Sequence, residues 1–271
     1  MPLLSETAQK VLANLVTIFL GLTIAVRMQA AEFLAPDTLL ILALGLTMNT
    51  KAGLGVSPII SISYSVSTIW GHNFGDMTLV LYSAFVAVEM VLHGLSARRA
   101  KAQGTLPQRP LAAVWLLDAL QFPLILLFTR FLNWFGAGIP DLVSQCQGSF
   151  WGTLPGRVLF LLGAIVCTGI GAALSLNARL IPNPGDGIVQ AIADQAGKSV
   201  GPCKNCVDVA CVACTTVLGL TAAGQPVGIG LGTLLAMAGV GRVIAVFNHF
   251  CFRPIATLSG LSLPEKKLRI S

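Results

Sequence analysis

The chain has 271 residues, 55% of them hydrophobic and only 10% charged, with a formal net charge of +6. A soluble globule of that size needs roughly 25–35% charged residues on its surface, so the composition excludes one and points to a polytopic membrane protein. The positive balance does not make a nucleic-acid surface: Arg98, Arg99, Lys101 and Arg109 crowd one interhelical stretch and Arg253, Lys266, Lys267 and Arg269 the C-terminal tail, where the positive-inside rule puts cytoplasmic charge.

Taken in order, seven apolar runs of about the length of a bilayer crossing are expected at 11–29, 36–50, 76–95, 111–134, 156–177, 203–223 and 227–252. The expected architecture is all-α: a single membrane domain, with 253–271 as a basic cytoplasmic tail. Seven crossings and a cytoplasmic C-terminus put the N-terminus outside, with Lys10, Lys51, Arg130 and Arg157 at or near the outer face. The first run precedes Ala30-Ala31 but reads as an uncleaved span, because a cleaved signal would leave almost nothing to export.

Two stretches interrupt this plan. Asn177 to Gln195 carries Pro182, Pro184, Gly185 and Gly187 inside apolar sequence, which must break a helix. Asp186 is the expected N-cap of a new helix from Gly187 to Ala196, with Asp186, Gln190 and Asp194 as its polar stripe opposite Ile188 and Ile192. Earlier, Leu46-Thr-Met-Asn49-Thr-Lys51 matches Leu174-Ser-Leu-Asn177-Ala-Arg179. With a one-residue slip Ser57-Pro58 aligns with Asp186-Gly187, so Ser57 caps a helix over Pro58–Ile69 carrying Ser61 and Ser65. Gly71-His-Asn-Phe-Gly75 echoes Gly197-Lys-Ser-Val-Gly201. Two units of one plan emerge, 36–135 and 156–252, with 11–29 extra. A helix of about 12 residues is roughly 18 Å long, too short for roughly 30 Å of hydrocarbon. Both short helices are therefore expected to be re-entrant, which leaves three crossings per unit and inverts the second unit relative to the first.

The pairing of K-A-G-L-G-V-S-P with I-P-N-P-G-D-G-I-V-Q-A-I, G-K-S-V-G and a small-residue last span resembles the bacterial YczE/YyaS/YitT-type membrane proteins over roughly residues 38–250. The resemblance implies a protein of the bacterial cytoplasmic membrane with internal repeats and leaves the biochemical activity open.

Broken helices at matching places in inverted halves point to a transporter's binding site, since unwound backbone at membrane depth must line a cavity or be buried in protein. The expected solute-binding residues are Asn49, Lys51, Ser57, Ser61, Asn177, Asn183, Asp186, Gln190 and Asp194. Ser57 begins a helix whose first turn has no acid, leaving N–H groups for an anionic group, with Lys51 nearby; Asp186 and Asp194 suit a cation or a proton. Intramembrane carboxylates are functional candidates by default, and Glu89, Asp118 and Asp208 are the coupling-ion candidates. Each also has a structural reading: Glu89 snorkelling beside His93 near the inner end of its span, Asp118 and Asp208 near the heads of their helices, where an acid meets the dipole.

Cys203, Cys206, Cys211 and Cys214 spell C-x₂-C-x₄-C-x₂-C. On a continuous helix Cys203 and Cys214 are about 16 Å apart, whereas two thiolates on one zinc ion are at most about 4.6 Å apart, so a four-cysteine site needs a helix break near Pro202. Otherwise these are small packing residues. Gly228, Gly232 and Ala236, and Gly169 with Ala173, form small-residue rows expected to pack helices closely. No cofactor or resident metal is expected; the expected partners are the lipid bilayer and a small-molecule solute, and homo-oligomerisation stays open. The reading is a secondary transporter of a small solute, zwitterionic or an organic anion, coupled to H+ or Na+. The competing classes are a membrane-embedded redox protein or enzyme built on the cysteines, and a non-transporting subunit of a membrane complex.

Overall fold

The computed structural model describes residues 34–102, 104, 110–178 and 183–258, and these are helical with short connections. The expected run 11–29 and most of the basic tail lie outside the described residues. In chain order the helices are α1 (Leu34–Lys51), α2 (Pro58–Trp70), α3 (Phe74–Ala102), α4 (Leu111–Ala119), α5 (Gln121–Gly138), α6 (Leu154–Ala178), α7 (Pro184–Ala196), α8 (Val200–Ala223) and α9 (Leu231–Leu258), with a 3₁₀ turn at Phe150–Gly152.

Five helical stretches are long and apolar enough to cross a membrane: Phe74–Ala102, Leu111–Gly138, Leu154–Ser175, Val200–Ala223 and Leu231–Phe250; α1 contributes a shorter apolar segment. Large apolar side chains such as Val80, Val209, Leu234 and Phe250 lie on the outside, as a lipid-facing surface requires. The chain is a multi-pass membrane protein.

The crossing expected at 111–134 is kinked. Pro123 lacks a backbone N–H and its ring crowds the carbonyl four residues back, at Ala119. Helix α4 accordingly stops at Ala119 and α5 restarts at Gln121. Asp118 thus lies in the last turn of α4, not near the head of a long helix where the dipole would favour it.

The two short helices match closely. Each has 13 residues with proline in its first turn; the N-cap dihedrals are φ −59°, ψ 136° at Ser57 and φ −60°, ψ 137° at Asn183, and each ends on a left-handed glycine, Gly71 or Gly197. Asn183 is the N-cap of α7, and Asp186 sits inside the first turn. The preset φ of Pro184 suits the first helical position, so the helix starts three residues earlier than an Asp186 cap implies.

Contacts show how the short helices run. The Leu142 N–H donates to the Lys51 carbonyl at the end of α1, and Asp76 at the start of α3 lies 3.6 Å from Arg130 of α5. The end of α1 and the start of α3 therefore lie toward the same end of the bundle. Thr78 donates to Ser63 Oγ at 3.1 Å and Phe74 meets Tyr64 edge-on, so α2 and α3 form an antiparallel hairpin through Gly71. Helix α7 instead lies parallel to α3: Gly187 faces Glu89, and Ser96 donates to Gln195 at 2.7 Å. Consequently α2 and α7 run in opposite directions.

Close backbone approach builds the centre. Helices α1 and α6 cross at Gly45 against Thr168 and at Gly171 against Leu42. Gly169 packs on Val243, as a small-residue row should. Gly228, expected to share a helical row with Gly232, instead precedes α9 with φ +78°. Its carbonyl accepts from Val56 N–H at 2.8 Å while Gly232 N–H donates to the Leu54 carbonyl at 2.7 Å, so this segment ties down the loop entering α2. A Cβ at Gly45 would collide with the Thr168 backbone, whereas one at Gly136 meets nothing within 4 Å. Gly45→Val is expected to lose about 1–3 kcal/mol through overpacking, read as a lower Tm in detergent, while Gly136→Val stays near wild type.

Candidate functional site

The first N–H groups of a helix have no intrahelical partner. Burying two such ends together leaves a polar hole in an apolar bundle, and one cavity lies where the starts of α2 and α7 meet. Its volume is about 40 Å³, within about 530 Å³ of non-atom space that runs out into open solvent. Ser57 and Pro58 come from one cap, Asn183, Gly185 and Asp186 from the other, and Tyr82, Lys204 and Asp208 from α3 and α8, while α1, α6 and α9 supply apolar walls.

Tyr82 is fully buried, stacked on Phe128 at 5.7 Å. Its hydroxyl and Asn183 Oδ1 complete no hydrogen bond at standard geometry, although the Asn183 side chain is the polar neighbour of that hydroxyl. Asn183 is 7% exposed. Buried polar atoms of this kind normally find a partner, and these two groups face each other beside the cavity. Asp208 Oδ2 lies 3.9 Å from Lys204 Nζ, one helical turn away on α8, and Asp186 lies in the field of both. Two carboxylates against one ammonium leave the lining one negative charge in excess when all three are ionised.

Of the residues expected at the site, Ser57, Asn183, Asp186 and Asp208 line this cavity. Asn49 is buried with Oδ1 unpartnered, and Ser61 is turned to Thr215 at 2.7 Å; neither reaches the cavity, nor does Lys51. The side chain of Asn177 lies outside the described residues. Gln190 and Asp194 bond each other at 3.0 Å on an exposed face. The expected stripe is real as a helix face, but only Asp186 points inward, because α7 packs with Ile188 and Val189 buried and its far turns turned outward. Glu89 does not snorkel: it is buried, accepts from Gln121 Nε2 at 2.9 Å, and belongs with His93 and Asp118 to a separate cluster. Asp208 lies in the third turn of α8, with Lys204 as its partner in place of the helix dipole.

Lys204 and Tyr82 were not anticipated. Lys204 had a legible signal, a base four residues before an acid in an apolar helix. Tyr82, one of two tyrosines in the chain, had none. The cysteines do not converge: α8 continues past Pro202, which its first turn tolerates, with Cys203 and Cys211 buried and Cys206 and Cys214 exposed.

Residues 30–249 match a family of unknown function, DUF6198. The chain belongs to this family. It is also similar in part to the probable oxaloacetate decarboxylase beta chain of Vibrio cholerae, 48% identical over 54 residues, covering 19% of this chain and 12% of the relative. The oxaloacetate decarboxylase beta chains of Haemophilus ducreyi and Klebsiella pneumoniae are 44% and 42% identical over 61 and 62 residues, 21% and 22% of this chain and 14% of each relative. The DUF6198 chain thus spans only a small part of these relatives. No solved structure matches it.

In a cysteine-free background, Gln190→Cys is expected to react with a thiol reagent at the rate of an exposed helix, and Asn183→Cys at least tenfold more slowly. Equal rates would show that the start of α7 is not enclosed.

Proposed function

We propose that this chain is a secondary transporter of a small zwitterionic or anionic organic solute, driven by H+ or Na+, with the solute held between the N-termini of α2 and α7. The observation that carries the reading is the cavity itself: two helix starts, one without an acid in its first turn and one bearing Asp186, open onto the same buried space with Asp208, Lys204 and unpartnered polar atoms of Tyr82 and Asn183. Ser57 and the first-turn N–H groups of α2 suit a carboxylate. Asp186 and Asp208 suit an ammonium group, a proton or a cation, with Lys204 as an internal counter-charge.

Inverted repeats support the same reading. Leu42, Leu46, Ser57, Ile59 and Tyr82 of the lining have counterparts at one constant chain interval, Thr168, Ala172, Asn183, Gly185 and Asp208. The contact between Ser61 and Thr215 recurs at that interval as Gly187 on Glu89, and Gly45 on Thr168 as Gly171 on Leu42. A cavity on the pseudo-twofold axis of two inverted units, with re-entrant α2 and α7, is the arrangement that alternating access uses. On this register Ser57 corresponds to Asn183 instead of Asp186. The kinship with YczE/YyaS/YitT-type proteins, the bacterial cytoplasmic membrane and a cytoplasmic C-terminus belong to the same proposal.

A second reading rests on the partial similarity to oxaloacetate decarboxylase beta chains: a beta chain is one chain of an assembly, so this chain would act as a subunit. Co-purification of a stoichiometric partner, with no solute binding by the chain alone, would favour it.

The decisive experiment screens purified protein by thermal shift against amino acids, betaines and carboxylates, then measures uptake of the hit into proteoliposomes. Asp186→Asn is expected to fold, to lower affinity about 10–100-fold through loss of a charge-assisted contact, and to abolish uptake; Asp194→Asn should behave as wild type. Unchanged uptake by Asp186→Asn would remove Asp186 from the site, and the absence of any binding or uptake by the wild type would sink the transport reading.

A further inference from the structure

Apart from the cavity, three metal-ligating side chains converge where α3 meets the kink between α4 and α5. Glu89 and His93 stand one turn apart on α3, and Asp118 comes from the last turn of α4. One ligand atom from each lies within 4.8 Å of the others, and His93 Nδ1 is 2.9 Å from Asp118 Oδ2. Glu89 is 3% exposed and Asp118 4%. Among the described residues neither acid pairs with a lysine or arginine; Asp118 is held by His93 and Glu89 by Gln121, so two buried carboxylates face at most one imidazolium.

A fourth polar side chain adjoins Glu89. Gln121 places its amide against Glu89 through Nε2, and its Oε1 is buried without a hydrogen-bond partner; the residue is 1% exposed. The break imposed by Pro123 sets Asp118 and Gln121 on either side of the kink, so both can turn toward α3.

We infer that Glu89, His93 and Asp118, with the Gln121 amide oxygen, form a binding site for a divalent transition-metal cation of the zinc class. An imidazole nitrogen with carboxylate and amide oxygens is a borderline donor set that suits zinc over magnesium or calcium. Bonds of about 2.0–2.2 Å to such an ion put neighbouring donors roughly 3.3–3.6 Å apart in a tetrahedron, so the atoms of Glu89, His93 and Asp118, 2.9 Å to at most 4.8 Å apart, need shift by no more than roughly 1.5 Å. The ion balances the two carboxylates and joins α3 to both arms of the kink. It also bears on α7, because a Cβ at Gly187 would stand 2.7 Å from Glu89 Oε2: the short helix rests directly on a ligand of the ion. This inference does not depend on the transport reading.

The test uses full-length protein purified in detergent through a tag that binds no metal, stripped with chelator and reloaded with Zn²⁺. Elemental analysis is expected to find about one zinc per chain, with a raised Tm that Mg²⁺ does not reproduce. His93→Ala and Asp118→Asn should each weaken zinc binding at least tenfold, whereas Asp186→Asn and the Cys203→Ser/Cys206→Ser double variant should bind as wild type. Should the variants fail to fold, Co²⁺ added to the wild type decides: nitrogen–oxygen ligation gives weak visible bands, and thiolate ligation an intense near-ultraviolet charge-transfer band. Absence of stoichiometric zinc in the wild type, retention of zinc by His93→Ala, or a thiolate band would each overturn the assignment.

Discussion

Two helix N-termini buried in the middle of an apolar bundle set the terms for the rest of this molecule. Backbone N–H groups at a helix start have no partner within the helix, and lipid offers none. The starts of α2 and α7 therefore have to face polar atoms supplied by the protein, or by what the protein binds. Ser57, Asn183, Asp186, Tyr82 and Asp208 gather around that space, and α1, α6 and α9 supply its apolar walls.

That constraint explains the glycines. To bring two helix starts together, α1 and α6 cross with their backbones nearly touching, at Gly45 against Thr168 and Gly171 against Leu42. Any larger side chain at those crossings would push the walls of the cavity apart. The short helices in turn lean on long helices distant in the chain: Ser61 of α2 on Thr215 of α8, Gly187 of α7 on Glu89 of α3.

The acids inside the bundle divide into two groups with different companions. Asp186 and Asp208 share the cavity with Lys204. Glu89 and Asp118 share the kink with His93 and Gln121. Gly187 stands between the groups, one residue from Asp186 and against Glu89. Proline shapes both places by different means: Pro58 and Pro184 start helices, whereas Pro123 interrupts one.

Much of this could be read from residue types. Low charge and long apolar runs determine a helical membrane protein, since only helices or closed barrels satisfy their backbone in lipid. Proline and glycine at 53–58 and 182–187 determine where helices break, and the echo of Gly71–Gly75 in Gly197–Gly201 marks the exit of each short helix. These are local rules of backbone geometry, which is why they survive without knowledge of the fold. What lies on which side of a helix is another matter. Helix periodicity puts Asp186, Gln190 and Asp194 on one face, but only packing decided that Asp186 turns inward while the other two face out. In the same way Lys204 and Tyr82 joined the cavity, and Glu89 met Asp118 across a proline kink, because helices far apart in the chain were brought side by side. The sequence by itself determined the medium, the helices and their breaks; the tertiary structure alone decided which charges are neighbours, because charge proximity depends on contacts between distant segments that no local pattern encodes.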